Sequence, residues 1–297
     1  MHRKRSAEKT ARPRPRTLRA LGRNDPPLVI ETKGEFFERR NIFKHDSMAA
    51  TALYESVKRQ GQLIICKFNR QQPIAGIPMK WLGRRLARRE RRVLETMADV
   101  ATIPDSSGDV FVDGSVDRTA AAHEFVPGHP LAYREQVGDE FFAELTESLR
   151  TLHARDIAYV DLNKRENIIV GDDGRPHLID FQISFTLPRW WPGRSAPARQ
   201  VLRLLQSCDH YHLRKHISKH RPDLLPPQEL ASVGKLPWPI RIHRSLAVPA
   251  RELRRRLLVL IGVRTGKGRS SSEVDPEDAV RRSLRQGRVL RESRRID

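Results

Sequence analysis

The chain contains little cysteine and no long apolar segment. Its two cysteines, Cys66 and Cys208, lie far apart in sequence, so no disulfide framework is expected and a reducing cytoplasm suits the composition. The longest uninterrupted apolar run, residues 257–263, is far too short to span a bilayer. The basic N-terminal segment has no apolar stretch behind it, so a secretory signal is not expected either. These absences predict a soluble cytoplasmic protein, or one bound peripherally at the inner face of the cytoplasmic membrane.

Acidic residues are scarce relative to basic ones. The chain has 36 Asp and Glu residues against 56 Lys and Arg residues, which gives a formal net charge of +20. Such a charge attracts anions, among them nucleic acid, acidic lipid headgroups and nucleotide phosphates. Basic residues are concentrated at both ends, so we expect residues 1–25 to form a disordered basic arm and residues 236–297 a basic helical extension. Charge alone leaves a solvated basic surface open, and it does not distinguish nucleic acid from membrane.

Hydrophobic patterning divides the chain into a strand-rich first half and a helix-rich second half. In the first half, the pattern predicts a hairpin with strands at residues 49–55 and 63–68. It also predicts a helix at 80–100 and two further strands at 110–112 and 120–126. The helices predicted in the second half lie at residues 133–155, at 198–220 and within 238–263. The breaker residues 127–130 separate the halves. The pattern predicts an α+β fold with two lobes, residues 26–127 and 128–235.

Three polar residues stand at the ends of a short predicted hairpin in the second half. Asp161 follows an apolar pair and precedes a strand, where its carboxylate can meet a substrate hydroxyl. Asn167 opens the strand 168–170, and Asp180 closes the strand 178–179. An amide oxygen and a carboxylate on neighbouring strand ends suit Mg²⁺, which keeps several waters and takes phosphate oxygens. The spacing therefore favours phosphoryl transfer over the alternative, a plain hairpin with polar ends.

This stretch resembles the catalytic core of the protein-kinase-like superfamily. The pattern H-R-D-L-x-x-x-N followed by D-F-G appears as Tyr159-Val160-Asp161-Leu162 with Asn167, and then as Asp180-Phe181-Gln182. The resemblance implies a bilobal protein-kinase-like fold with a small strand-rich N-lobe and a larger helical C-lobe. It also implies ATP and Mg²⁺ as cofactors, Asp161 as the catalytic carboxylate, and Asp180 and Asn167 as metal ligands. One residue is inserted between Asp161 and Asn167, so Glu166 competes for the second metal position.

The same resemblance implies a Lys on the third strand that binds the nucleotide phosphates and a Glu on the following helix that holds it. Lys67 and Glu90 fit these two places, with Glu95 as the competing carboxylate. The resemblance also implies an interlobe hinge whose backbone would bind adenine, and the residues that fit it are Glu124, Phe125 and Val126.

No G-x-G-x-x-G pattern precedes Lys67. The corresponding loop, residues 44–51, would therefore contact the phosphates through small residues and backbone N–H groups, helped by Ser47 or Thr51. No A-P-E follows Asp180, so control through an ordered activation loop is not expected.

These departures are similar to those of atypical members such as bacterial lipopolysaccharide-core sugar kinases. The resemblance implies a hydroxyl acceptor on a lipopolysaccharide-core-type or other membrane-associated sugar. The basic helix at 249–261 and the segment 189–192 are expected to contact an anionic membrane. The alternatives are an atypical Ser/Thr protein kinase, an inactive pseudokinase and a basic nucleic-acid-binding protein. Nucleic acid is not the expected partner, because the sequence has no zinc-finger spacing and no aromatic-basic RNA-binding motif.

Two further patterns are not assigned to chemistry. One is a polar stripe at four-residue steps along a predicted helix, formed by Cys208, His212, His216 and His220. One straight helix cannot place four ligands around a single ion, so a metal site is not expected there. The other is the glycine-rich segment 262–268, whose spacing is one residue short of a P-loop and which is expected to be a turn that ends a helix.

Overall fold

The computed structural model describes residues 19–74, 76–187 and 195–233. The predicted basic extension at 236–297, the segment 189–192 and most of the basic arm lie outside the described residues. The last part of the predicted arm, however, is folded. Ala20 is fully buried, and its N–H donates to Asp46 O at 2.7 Å. Residues 19–25 therefore belong to the folded part of the protein, and the predicted boundary at residue 25 is too late.

The first half forms one antiparallel sheet of seven strands in the order β6-β5-β1-β2-β3-β4-β7. The strands are β1 Val29–Thr32, β2 Glu35–His45, β3 Ala49–Ser56, β4 Leu63–Asn69, β5 Val110–Val112, β6 Ser115–Val116 and β7 Ala120–Glu124. The predicted hairpin is confirmed as β3 and β4, which pair in register from Ala49↔Asn69 to Glu55↔Leu63. The long strand β2 shifts register twice against β3, and such bulges bend a sheet.

Helix α1, Lys80–Thr96, packs against β4 and β7. The sequence predicts an apolar stripe on this helix, and its C-terminal members Val93 and Leu94 are indeed buried. Nearer the N-terminus, the buried positions are the small residues Gly83 and Ala87. A Cβ atom on Gly83 would overlap the backbone carbonyl oxygen of Arg70, so only glycine allows this approach. Close packing here brings the buried face of α1 over the end of β4.

The second half consists of helices and two small sheets. Its elements are β8 Gly128–Pro130, α2 Phe141–Ala154, β9 Ile157–Ala158, β10 Ile168–Gly171, β11 Pro176–Leu178, β12 Phe185–Thr186, α3 Ala196–His220 and α4 Pro227–Ser232. Strands β11, β10 and β8 form one sheet, and β12 pairs with β9. The fold is therefore α+β, as predicted, with an antiparallel sheet first and helices later.

Helix α2 begins later than the sequence predicts. The expected start at Tyr133 is wrong, because residues 133–140 form turns. Arg134 has a φ of 57°, which is not helical, and the carboxylate of Glu135 accepts the Ala132 N–H at 2.7 Å. A side chain that binds the backbone in this way competes with helix formation.

One apolar cluster connects the two halves of the protein. It contains buried residues from the end of α1, from α2, from the segment between β9 and β12, and from α3, including Leu94, Leu149, Phe181 and Leu213. Because α1 contributes to this cluster, its position relative to the second half is fixed by packing. None of the helices in the described part of the chain has the length and apolar character needed to span a bilayer.

Candidate active site

Lys67 lies on β4, between β3 and the edge strand β7, and its ammonium group binds two carboxylates. Its neighbours in register are Thr51 on β3 and Ala121 on β7. Lys67 Nζ donates to Glu90 Oε1 at 2.8 Å and to Asp180 Oδ1 at 3.1 Å. The three groups come from β4, from α1 and from the segment after β11, so the fold unites residues that are more than 100 positions apart in sequence.

The electrostatics of this group follow from burial and mutual attraction. Burial by itself lowers the pKa of Lys67, but the charges of Asp180 and Glu90 outweigh it and raise that pKa. Burial would raise the pKa of Asp180, yet Lys67 lowers it below its ordinary value. For Glu90, whose side chain is 2% exposed, burial prevails over Lys67 and the pKa is raised. The competing carboxylate Glu95 is exposed on α1, so Glu90 is the partner of Lys67.

Asp161 and Asn167 lie together in the loop between β9 and β10. Asn167 ends a 3₁₀ turn, Arg165–Asn167, and its Nδ2 donates to Asp161 Oδ2 at 3.1 Å. The backbone of Asn167 also accepts the Ile179 N–H at 3.1 Å, which places it beside Asp180. Asn167 is buried against Asp161, whereas Glu166 is only half-buried.

Lys164 is a site residue that the sequence reasoning missed. Its Nζ lies 2.6 Å from Asp161 Oδ2. Burial raises the pKa of Asp161, Lys164 opposes this, and the nearby charge of Asp180 adds to it. A raised carboxyl pKa suits a group that accepts a proton. The signal that would have identified Lys164 is its position three residues after the carboxylate, on the same turn.

Asp209 on α3 holds the backbone that leads to Asp161, and it too was missed. Its side chain is completely buried. Oδ2 accepts the Tyr159 N–H at 2.7 Å, and Oδ1 accepts the Val160 N–H at 2.8 Å. Val160 has a φ of 72°, a left-handed conformation that is costly for a β-branched residue. The carboxylate therefore supports a strained loop, and His153 contacts Oδ2 at 3.1 Å from the other side.

The polar stripe on α3 binds backbone rather than forming a cluster of side chains. His216 Nε2 donates to Leu162 O at 2.7 Å, and His220 Nε2 donates to Ala132 O at 3.1 Å. Burial lowers the pKa of His216 to about 4, so the imidazole is neutral near pH 7. Among the described residues, no group of three His, Cys, Asp or Glu side chains is arranged to hold a metal ion. His216 instead supports the residue that follows Asp161.

The segment after Asp180 is attached to the first half of the protein. Asp180 has a φ of 62°, and Phe181 next to it is buried edge-on against Tyr159, with ring centroids 5.2 Å apart. The hydroxyl of Tyr159 donates to Ile179 O. Gln182 Nε2 donates to Asn69 Oδ1 at 2.8 Å. Gln182 therefore connects this segment to the end of β4, two residues beyond Lys67.

The loop between β2 and β3 differs from the expected phosphate cradle. The Asp46 carboxylate accepts the N–H groups of Met48 at 2.6 Å and Ala49 at 2.9 Å. These two donors are therefore engaged by an anionic side chain of the protein itself. Arg70 donates to Ser47 O, which ties the loop tip to the end of β4. Thr51 is buried in β3 directly beside Lys67.

At the end of β7, two backbone N–H groups of the predicted hinge are bound within the protein. The N–H of Glu124 donates to Asp105 O at 2.9 Å, and the N–H of Phe125 donates to Leu63 O at 3.0 Å. His123 Nδ1 donates to Glu124 O at 2.8 Å. Val126 is buried against the second half. Of the three predicted hinge residues, two thus have N–H groups that are already bound.

An apolar cluster lies on the sheet face that carries Lys67. Phe43, Leu53 and Ile65 are 2–5% exposed, and the partly buried Phe125 packs against them. Ile65 precedes Lys67 by two residues and so lies on the same face of β4. This cluster therefore extends from the face of β4 that carries Lys67 to the predicted hinge residue Phe125.

No model of a known protein family matches this chain, and a comparison with curated proteins finds no match. What the site can do therefore follows from its own residues. It combines Lys67, which is bound by two carboxylates, with a third carboxylate, Asp161, which is bound by the amide of Asn167 on the adjoining loop.

Proposed function

We propose that this protein is an ATP- and Mg²⁺-dependent phosphotransferase with a bilobal protein-kinase-like fold. The observation that carries the proposal is the ion pair between Lys67 and Glu90, which is joined to Asp180 by the same ammonium group. A buried Lys kept charged by two carboxylates is suited to bind phosphate oxygens. Nothing in the packing of β4 alone requires a Lys there, since its neighbours in the strand are apolar.

The donor set suits Mg²⁺. Lys67 keeps the pKa of Asp180 low and contacts only Oδ1, so Oδ2 remains for a metal. Asn167 would supply an amide oxygen from the adjoining loop. Bound Mg²⁺ would neutralise phosphate charge during transfer, and its other positions would be taken by water and phosphate.

Asp161 would accept the proton of the acceptor hydroxyl. Its raised pKa brings it closer to neutral pH than an ordinary carboxylate, and Asn167 orients one of its oxygens. Lys164, 2.6 Å from the same oxygen, would lie beside the transferred group and stabilise its charge. The loop between β9 and β10 would thus supply both proton acceptance and charge stabilisation.

The acceptor that we propose is a hydroxyl of a lipopolysaccharide-core-type or other membrane-associated sugar. The support is the resemblance of the loop around Asp161 to atypical sugar kinases, together with the attachment of Gln182 to Asn69. That attachment leaves little freedom for a phosphate-controlled segment of the kind that regulates many protein kinases. A Ser/Thr protein kinase is the alternative for the acceptor.

The test is transfer of label from γ-labelled ATP, with cell protein and a lipid–sugar fraction offered separately. Asp161→Asn and Asp180→Asn should each lower the rate by about 10²–10⁴-fold. Asp113→Asn is the matched control, because Asp113 is exposed and has a φ of 50°, which Asn also adopts readily. Label that enters only protein would reject the sugar acceptor. Full transfer by Asp180→Asn would reject the site.

A second candidate, a non-catalytic protein of the same fold, is favoured by two observations. Asp46 occupies the loop donors expected to contact phosphate, and the N–H groups of Glu124 and Phe125 at the predicted hinge are bound within the protein. This candidate predicts that Mg-ATP leaves the melting temperature unchanged. A bound nucleotide at a hundred times its Kd would instead add about 2.7 kcal/mol to the free energy of unfolding.

A further inference from the structure

Large apolar side chains are exposed at the turn that precedes α1. Ile74, Ile77 and Trp81 are 44%, 62% and 59% exposed. The flanking residues Pro73 and Pro78 are exposed as well. Single exposed apolar residues are common on proteins, but three within eight residues at a protruding turn form a patch.

The end residues of this turn, Ile74 and Ile77, bind each other through their backbone groups. Ile74 N–H donates to Ile77 O at 3.0 Å, and Ile77 N–H donates to Ile74 O at 2.9 Å. Gly76 has a φ of 81°, the left-handed conformation that a tight turn of this kind requires. Arg70 holds the base of the turn through Pro73 O at 2.8 Å. Because its end residues bind each other, the turn can enter an apolar phase at a smaller desolvation cost.

Arginines continue from this turn along the exposed face of α1. Trp81, Arg84, Arg88 and Arg92 share one face, since an α-helix has 3.6 residues per turn. The three arginines line a groove of about 560 Å³ that also includes Arg91 and Arg118. Two acidic residues, Glu95 and Asp109, also line this groove, and Asp109 is paired with Arg91. The groove therefore carries an excess of positive charge.

We propose that this surface binds an anionic lipid bilayer, with the turn inserted and the arginines on lipid phosphates. The α1 surface is defined here as Ile74, Ile77, Trp81, Arg84, Arg88 and Arg92. Trp and Ile favour the interfacial region, and Arg favours anionic headgroups. A nucleic acid or an acidic peptide would use the arginines, but neither offers an apolar phase for the aliphatic side chains of the proline-flanked turn. The combination thus favours a bilayer over either polyanion.

This inference does not depend on phosphoryl transfer, because it concerns a surface outside the catalytic group. It also differs from the membrane contact expected from the sequence, which was assigned to residues 189–192 and 249–261. The opposite face of the same helix carries Glu90, the partner of Lys67. Contact with a bilayer would therefore act on the helix that positions the site.

The experiment measures partition of the full chain into vesicles of phosphatidylcholine, with and without phosphatidylserine. The first variant is Ile77→Ser with Trp81→Ser, and its matched control is Leu28→Ser with Val57→Ser, at residues 69% and 57% exposed. The apolar variant should lower partition into phosphatidylserine vesicles by about tenfold or more, whereas its control should not.

A second pair of variants tests the charge. Arg84→Gln with Arg88→Gln removes two exposed charges from the α1 surface, and Arg23→Gln with Lys58→Gln removes two exposed charges elsewhere. The first of these should again lower partition by about tenfold or more, and the second by much less. The pairs change net charge equally, so the basic termini cannot account for a difference.

Three results would overturn the proposal. The first is a wild-type chain that does not partition into phosphatidylserine vesicles. The second is an apolar variant that binds as well as its control while the arginine variant does not, which would mean that the arginines bind headgroups without insertion of the turn. The third is that neither variant differs from its control, which would place any binding on other parts of the chain. All substituted residues are exposed, and circular dichroism checks that each variant is folded.

Discussion

Replacing Lys67 by Met removes the cation that Glu90 and Asp180 share. The loss of the cation destabilises the charged form of Glu90 more than that of Asp180, because the Glu90 side chain is 2% exposed and the Asp180 side chain is 31% exposed. Breaking a buried ion pair costs about 3–5 kcal/mol, because a charge is left without compensation. Water can solvate Asp180 in part, so we expect the free energy of unfolding to fall by about 2–4 kcal/mol.

The loss should depend on pH in a defined direction. Without Lys67, burial and the charge of Asp180 raise the pKa of Glu90 further, opposed only by a hydrogen bond from Gln182. A carboxyl group whose folded pKa exceeds its unfolded value, about 4.3, takes up a proton on folding, so its contribution to stability declines as pH rises through the folded pKa. The Lys67→Met variant should therefore be closer to the wild type at pH 5 than at pH 8.

Urea unfolding at both pH values measures this effect, with Lys67→Met/Glu90→Gln as the double variant. Since Gln carries no charge to compensate, the double variant should be more stable than the sum of the single changes predicts, by about 1 kcal/mol or more. Equal losses at pH 5 and pH 8, with additivity within about 0.5 kcal/mol, would refute the assignment of a buried, coupled pair.

Three other changes have defined outcomes. Gly83→Ala should lower the free energy of unfolding by about 1–3 kcal/mol, because α1 must move away from β4. Gly138→Ala is the control and should have little effect, because the space around Gly138 is open. Thermal unfolding of both variants measures the difference. Asp209→Asn turns an amide donor towards backbone N–H groups and should cost about 1–3 kcal/mol in urea unfolding, with no loss if the carboxylate is unimportant. Lys164→Met removes a charge that lowers the pKa of Asp161, so the acidic limb of the transfer rate against pH should move to higher pH; an unmoved limb would remove Asp161 as the proton acceptor.

The sequence allowed the local parts of the site to be predicted. Polar residues at strand ends are visible in the periodicity, so Asp161, Asn167 and Asp180 could be identified before the strands were placed. Lys67 and its partner on the following helix, Glu90 or Glu95, came from the family resemblance, because without it a strand Lys and a helical Glu resemble ordinary surface residues. These inferences needed only short-range patterns and one family resemblance.

The parts that could not be predicted depend on long-range contacts or on side chains that bind nearby backbone. Asp209 lies about 50 residues from the loop it supports and, in sequence, resembles any charged residue on a helix. The Asp46 turn, the late start of α2 and the folded position of Ala20 each depend on a specific hydrogen bond. Hydrophobic periodicity contains no information about such bonds, so boundaries were less accurate than the elements themselves.

The attachment of Gln182 to Asn69 has a consequence for the energetics of the whole group. Asp180 is held in place by Lys67 on one side and by this amide pair on the next turn of chain. The ordering entropy of the group is therefore lost once, when the chain folds, and not again at each encounter with a ligand. A preorganised group of this kind gains speed and selectivity from rigidity, and it gives up the ability to be switched by local rearrangement.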